Sequence, residues 1–332
     1  MGSDAILVIA VAAALVFGFT NGFNDTFEVI STAVSTGAAP PGVAIAAAAL
    51  LNFAGAFISI EVASTIAREV VEAEAITPTV VLSGLLGAIA WNLGTWRLGL
   101  PSSSSHALIG GVVGATVAAA GTGAVIGEGL LDKVLIPALV APIAAFVLAV
   151  ALIAVIYRLV GRRRPGPVTR GFRYAQVLSG GLLALGHGAN DAQKTMGVIV
   201  LALIANGTLG ASADPPLWAV VAAAAAIGLG TYAGGRRMLR GAGARIIKMD
   251  AAQGFSAQGA GSAAILASTF MGFPISTTHA INGGVLGAGA AKRFSAARWG
   301  VAGNLLAAWL LTLPAAAAIG AAAYGVAWLF GA

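Results

Sequence analysis

Ten apolar stretches divide the chain, five in each half. They run over residues 5–36, 43–66, 79–97, 101–120 and 134–160, then over 174–206, 216–235, 252–271, 275–290 and 300–330. In each half the fourth stretch follows the third almost at once, across Gly99-Leu100-Pro101 or Gly272-Phe273-Pro274. Stretch 275–290 is also short against the roughly 20 residues that a helix needs to cross the hydrocarbon core. Each third-and-fourth pair is therefore predicted to be a hairpin that enters the membrane and returns. Three true crossings per half remain, an odd number, so the second copy must lie upside down relative to the first. The predicted fold is an all-α polytopic membrane protein made of two inverted-topology repeats, with broken helices and re-entrant helical hairpins. This is the plan of secondary transporters. The first repeat is placed at residues 1–160, a basic cytoplasmic linker at 161–173, and the second repeat at 174–332.

Polar motifs inside these stretches carry the duplication. Pro101-Ser102-Ser103-Ser104-Ser105-His106 returns as Pro274-Ile275-Ser276-Thr277-Thr278-His279, and Gly22-Phe23-Asn24-Asp25 returns as Gly188-Ala189-Asn190-Asp191. Over Pro101–Ala115 and Pro274–Ala288, 9 of 15 positions are identical. The two motifs keep their order, 81 residues apart in the first half and 88 in the second. A duplicated unit explains this where coincidence does not.

Composition and charge sharpen the membrane reading. Charged residues are only 9% of the chain, hydrophobic residues 58%, and the mean hydropathy is +0.92, which leaves no room for a large soluble domain. Glycine, at 46 residues, suits close helix packing in lipid. Cysteine is absent, which removes disulfide and thiolate chemistry. The first apolar stretch has no basic segment before it and runs directly into Asn24-Asp25, so it reads as a retained helix rather than a cleaved signal. With the amino terminus outside, the inner loops collect Arg158, Arg162, Arg163, Arg164, Arg170, Arg173, Arg236, Arg237, Arg240, Arg245, Lys248, Lys292, Arg293 and Arg298, which is 14 of the 18 Lys and Arg. Glu69, Glu72, Glu74, Glu128, Asp132 and Asp214 fall outside with Arg68 and Lys133. This satisfies the positive-inside rule and puts both termini outside, in a plasma or inner membrane. The pI of 10.2 thus calls for no nucleic-acid partner. Membrane lipid is the expected surrounding, and the sequence leaves self-association into a homo-oligomer open.

Intramembrane polar groups are costly unless they face protein or a water-filled cavity, so they mark the candidate site. Asp25 and Asp191 each follow a Gly and an Asn in a stretch over 30 residues long, and a helix break is predicted at each motif. Asn24, Asp25, Asn190 and Asp191, with freed backbone carbonyls, would give the hard oxygen environment that a small monovalent cation accepts. Helix-packing aspartates are the alternative. The hydroxyl runs suit the opposite charge. Ser102, Ser103, Ser104, Ser105, Ser276, Thr277 and Thr278 follow a proline that starts a helix, where unpaired N–H groups and the positive dipole end favour an anion. Bonding back to their own helix is their other use. His106 and His279 would donate to the anion, shuttle a proton, or cap a helix and orient the serines, with capping preferred. No metal-ligand cluster is visible at sequence spacing. Asn52 and Gln258 line a cavity or a helix interface. Glu28 and Lys194 occupy equivalent positions three residues after the motif aspartates, so either an ion pair between them or exposure at a surface or loop is expected, and Arg97 is a weaker candidate for the anion.

At these residues the chain resembles a known family. Gly-Phe-Asn-Asp at 22–25, Gly-His-Gly-Ala-Asn-Asp-Ala-Gln-Lys at 186–194, Leu-Pro-Ser-Ser-Ser-Ser-His at 100–106 and Phe-Pro-Ile-Ser-Thr-Thr-His at 273–279 are similar to the paired signatures of the inorganic phosphate transporter (PiT) family. The likeness extends from residue 18 to about 290. It implies a cation-coupled phosphate symporter of inverted repeats, with phosphate held by Ser102–Ser105 and Ser276–Thr278. Sodium or a proton would be handled by Asn24, Asp25, Asn190 and Asp191. It also implies that Asn52 and Gln258 stand at positions that are acidic in some members. Glu28 departs from the Asn usual after the first Asp, and residues 161–173 stand where animal members carry a large soluble loop.

The expected function is import of inorganic phosphate by sodium or proton symport, with alternating access around a midplane site, no cofactor and no enzymatic chemistry. Two other readings remain. A sulfate permease of the same fold would lack a use for a proton-accepting carboxylate, because sulfate at neutral pH carries no proton. An anion channel would share the hydroxyls without needing duplicated acids.

Overall fold

The computed structural model describes residues 3–98, 102–241, 249–291 and 299–331. The turn Gly99-Leu100-Pro101 and the basic residues Arg245, Lys248, Lys292, Arg293 and Arg298 lie outside the described residues. In the first repeat, α1 (Ser3–Ser35), α2 (Pro41–Gly55) and α3 (Glu61–Arg68) precede a hairpin of α4 (Pro78–Leu98) and α5 (Ser104–Ala120). A short α6 (Gly127–Gly129) then passes through a π-helical turn, Leu130–Leu135, into α7 (Ile136–Val160). The second repeat holds α8 (Pro165–Ala205), α9 (Leu217–Gly241), a hairpin of α10 (Ala251–Phe270) and α11 (Thr277–Ala290), and α12 (Trp299–Leu329). Among the described residues, five helices are long and apolar enough to cross a membrane: Ser3–Ser35, Pro78–Leu98, Gly127–Val160, Leu217–Gly235 and Leu306–Leu329. The chain is an integral membrane protein.

Local chemistry sets the helix ends. The α1 and α8 helices stop in the same way, each with a glycine at positive φ just beyond: Gly37 at 68° and Gly207 at 72°. In both, the residue after the glycine bonds back five positions, Ala38 N to Ala33 O at 2.9 Å and Thr208 N to Leu203 O at 2.9 Å. Only glycine adopts this left-handed turn without strain. The start of α10 is a reciprocal cap, with the Asp250 carboxylate accepting from Gln253 N at 2.8 Å and the Gln253 amide oxygen accepting from Asp250 N at 3.0 Å.

Three expectations change on contact with the structure. Stretch 43–66 is the broken helix, interrupted at 56–60 between α2 and α3. The freed amides at the start of α3 are satisfied from the other repeat, since Gln193 Oε1 accepts from Val62 N at 2.8 Å and Ala63 N at 3.1 Å. The breaks predicted at the Asn-Asp motifs are absent: α1 and α8 run through them uninterrupted. The motif glycines serve close approach instead, because a Cβ on Gly22 would overlap the Ile227 carbonyl and one on Gly188 the Asn52 carbonyl. At 33 and 41 residues these helices are about 50 and 60 Å long, so they tilt or protrude from a core of about 30 Å. Finally, the segment 161–173 is a short turn followed, from Pro165, by the first turns of α8.

The two repeats are interlocked by exchange. The α1 helix packs on α9 and, reciprocally, α8 on α2. The first hairpin packs on α12 and the second on α7, each being the last helix of the opposite repeat. Glycines at matching positions permit the second exchange. A Cβ on Gly110 or Gly114 of α5 would run into the Leu313 or Ala317 carbonyl of α12. One on Gly283 or Gly287 of α11 would run into the Pro142 or Phe146 carbonyl of α7. Small residues let these backbones touch where lipid gives helices no hydrophobic reason to associate. Phe17, Leu85, Leu108 and Val198 centre the largest apolar cluster, at the junction of α1, α4, α5 and α8. Leu139, Ile143, Val147, Leu310 and Val326 face outward, as lipid-contacting side chains do.

Candidate functional site

The hairpin tips meet each other and close over the middles of α1 and α8. Ser105 Oγ donates to the Ile275 carbonyl of the opposite tip at 2.8 Å. Beneath the tips lie Asp25 on α1 and Asp191 on α8, both buried. Ser104 Oγ donates to Asn21 Oδ1 at 2.7 Å and approaches Asp25 Oδ2 at 3.4 Å. Thr277 Oγ1 donates to Asp191 Oδ2 at 3.1 Å, and Thr278 Oγ1 crosses to Asp25 Oδ1 at 3.4 Å. Residues placed by sequence on opposite roles, anion and cation, therefore share one buried centre.

The remaining hydroxyls are used locally. Ser103 and Ser276 are equivalent N-caps, whose side-chain oxygens accept from the backbone N–H of His106 at 3.2 Å and His279 at 3.3 Å. Ser102 pairs with Thr95 on α4 at 2.7 Å, away from the carboxylates. The capping role expected of the histidines thus belongs to the serines. The imidazoles of His106 and His279 face each other with ring centroids 5.1 Å apart, His279 stacks on Trp309 at 3.6 Å, and among the described residues neither ring nitrogen of either histidine has a hydrogen-bond partner. Both rings are buried at the seam between the hairpins.

Four other expectations resolve at this level. The Glu28–Lys194 ion pair does not form. Lys194 is fully buried and pairs with Asp191 one turn back on its own helix, while its ammonium also donates to the Ile275 carbonyl at 2.8 Å. Three residues apart on a helix is already contact distance, so the nearer carboxylate wins. Asn52 belongs to a helix interface that touches the site: its amide donates to Thr231 Oγ1 at 2.7 Å and its oxygen lies 3.2 Å from His187 Nδ1. Gln258 sits between α10 and α8, accepting from Ser179 Oγ at 3.1 Å, apart from the carboxylates. Arg97 is exposed at the end of α4. Of the motif asparagines, Asn190 ties α8 to the second hairpin through Thr269 Oγ1 at 3.0 Å and the Phe273 carbonyl at 3.1 Å. Asn24 Oδ1 is buried without a partner.

His187 and Asn21 carried no role in the sequence reading, yet both are central. His187 Nε2 lies 3.1 Å from Asp191 Oδ2 and 3.7 Å from Asp25 Oδ2, bridging the repeats, and Asn21 donates to Asp191 Oδ2 at 3.3 Å. Each stands four residues before its motif aspartate, on the same helix face. That spacing was the available signal. Ligand atoms of Asp25, His187 and Asp191 lie within 4.8 Å of one another, so the fold assembles the metal-competent cluster that sequence spacing alone did not reveal. Its two carboxylates suit a hard cation, whereas an imidazole nitrogen is the poorer ligand for one.

A buried polar centre beneath the meeting tips of two helical hairpins defines a polytopic membrane protein built of two inverted repeats. The chain belongs to the phosphate transporter family, whose sequence signature matches residues 21–169 and again residues 162–320. It is 46% identical over 327 residues to a probable low-affinity inorganic phosphate transporter of Mycobacterium bovis, covering 98% of this chain and 78% of that protein. It is 45% identical to the protein so described from Rhizobium meliloti and 41% identical to that of Bacillus subtilis, with 96% of both chains covered in each comparison. Among solved structures, one titled the sodium-dependent phosphate transporter shares the fold with a TM-score of 0.90. It is 24% identical to this chain, and the match covers 98% of this chain and 99% of the other.

Proposed function

We propose that the chain imports inorganic phosphate by symport with a cation, sodium or proton, through alternating access to the centre beneath the hairpin tips. The observation that carries this reading is that hydroxyls of both tips are engaged with the two aspartates. Phosphate needs those donors, and a bare carboxylate beside it repels it. A cation or proton at the aspartates removes the repulsion and frees Ser104, Thr277 and Thr278 to turn to the anion. Each solute thereby raises the affinity for the other, and that mutual dependence is the thermodynamic content of coupling. Asn24, Asp25, Asn190 and Asp191 form the cation side. Ser103 and Ser276 fix the starts of α5 and α11, whose first-turn amides and dipoles add to the anion side. Membership of the phosphate transporter family supports the substrate, and the sodium named for the structural neighbour supports the cation. The charge asymmetry of the loops supports both termini lying outside.

A proton on hydrogen phosphate can be donated to a carboxylate, whereas sulfate offers none, which favours phosphate. Uptake of radiolabelled phosphate into proteoliposomes, under sodium and proton gradients imposed separately, tests the proposal. Asp25→Asn and Asp191→Asn should each abolish gradient-driven uptake while leaving a folded protein. Normal gradient-driven uptake by both variants would refute it.

A further inference from the structure

The inverted repeats offer two equivalent carboxylates, but the chain treats them differently. Asp191 is saturated by its own protein: His187 at 3.1 Å, Thr277 at 3.1 Å, Asn21 at 3.3 Å and the ammonium of Lys194 all converge on it. Asp25 has only long contacts, to Ser104 and Thr278 at 3.4 Å each and to His187 at 3.7 Å. On the same helix, Asn24 Oδ1 and Glu28 Oε2 are buried oxygens with no hydrogen-bond partner among the described residues. Glu28 is the repeat equivalent of Lys194, three residues after Asp25 and so on its helix face.

We propose that Lys194 is a tethered cation that permanently fills the second repeat's cation position, leaving a single exchangeable cation site, made by Asn24, Asp25 and Glu28 in the first repeat. The inference rests on the symport reading and assigns its stoichiometry. An ammonium can replace a bound monovalent cation because it brings the same charge and bonds the same oxygens. Here those are the Asp191 carboxylate and the Ile275 carbonyl of the hairpin tip. Lys194 therefore links a motif aspartate to a hairpin tip, as a coupling ion would, but it cannot leave. In the first repeat the equivalent position carries the opposite charge. That carboxylate adds an oxygen donor and a negative charge beside an aspartate held only by long contacts, and Asn24 Oδ1 and Glu28 Oε2 are without partners among the described residues, so a mobile cation is favoured there.

The test compares wild type, Lys194→Asn and Glu28→Gln in proteoliposomes, driven by whichever of the sodium and proton gradients drives wild-type uptake. The number of cations per phosphate is read from the gradient that nulls net phosphate flux. Wild type should move one such cation per phosphate with a Hill coefficient near one. Lys194→Asn, with Asp191 now uncompensated, should gain one cation per phosphate and a Hill coefficient approaching two. Glu28→Gln should keep the wild-type ratio and need on the order of tenfold more cation. A Lys194→Asn protein that transports with the wild-type ratio overturns the inference, as does a wild type that already moves two. If Lys194→Asn is inactive, thermal unfolding of the purified protein against concentration of the same cation decides. A steeper stabilisation by the cation than in wild type supports the tethered cation, and an unchanged slope overturns it. Failure of wild type to show any cation-driven uptake would instead bring down the symport reading, and the stoichiometry with it.

Discussion

Ser104 and Thr277 stand at matched positions of the two hairpins, yet the structure predicts unequal consequences for removing them. A hydrogen bond to a charged group contributes about 1.5–3 kcal/mol, and a neutral one about 0.5–1.5 kcal/mol. On the symport reading, Ser104 leaves the neutral amide oxygen of Asn21, its 2.7 Å partner, to bond phosphate. The difference between the two classes of bond leaves a net gain of about 1 kcal/mol, which is roughly fivefold in affinity. Thr277 leaves the Asp191 carboxylate, bonded at 3.1 Å, so it exchanges one charge-assisted bond for another and gains little. Ser104→Ala should therefore weaken phosphate binding about fivefold. Thr277→Ala should change it by less than about threefold, and Ser104→Thr, which keeps the hydroxyl, should restore most of the loss. Equilibrium binding of radiolabelled phosphate to purified protein, at saturating cation and with sulfate as competitor, measures all of these. If Thr277→Ala proves the more damaging, the partner-exchange reasoning is wrong. If neither variant differs from wild type, the tips are structural and the anion binds elsewhere.

Other expectations follow from packing and charge. Gly188→Ala should destabilise the protein by about 1–3 kcal/mol, because its Cβ would overlap the Asn52 backbone at the α8–α2 crossing, and thermal unfolding in detergent would show it. Gly166→Ala, with nothing within 4 Å, should not, and equal effects at the two sites would refute the close-packing argument. A single cysteine placed at Arg163 in this cysteine-free chain should label with an impermeant reagent only from inside, and one at Glu72 only from outside. Labelling of both from one side would break the inverted topology.

Most of the architecture was legible from hydropathy and duplication, since lipid leaves so few solutions. Repeat periodicity placed the hairpins, and an odd number of crossings per half implied the inverted repeats, but the exchange of packing between α1, α8 and their partners had no signal in the sequence. What failed to show was the use of individual polar groups. A Gly-Asn-Asp motif in a long helix looked like a break, but the glycine admits a neighbouring backbone and the helix continues. The real break, at 56–60, has no such motif, because its freed amides are satisfied by Gln193 from the other repeat. His187 escaped notice for a related reason. Its partners are Asp191 on its own helix, Asp25 on α1 and Asn52 on α2, and only the fold brings the last two within reach. Contacts between repeats depend on docking geometry, which a linear pattern does not encode.

The distribution of packing also says where movement would occur. The first hairpin is fastened along its length to α12 and the second to α7, through glycine faces that allow no slack. The helices α1, α2, α8 and α9 interlock by their own mutual exchange and are joined to both hairpins, α8 to α10 and α1 to α4. The two hairpins meet chiefly at their tips, through Ser105 and Ile275 and the facing rings of His106 and His279. Among the described residues the four imidazole nitrogens at that seam have no hydrogen-bond partner, whereas the tips are held to the central helices through Ser104, Thr277, Thr278 and Lys194. Close-packed cores resist deformation, so movement is expected where packing between elements is sparse. On the symport reading, we propose that access alternates by a movement that parts the tips and breaks the hydroxyl contacts with Asp25 and Asp191.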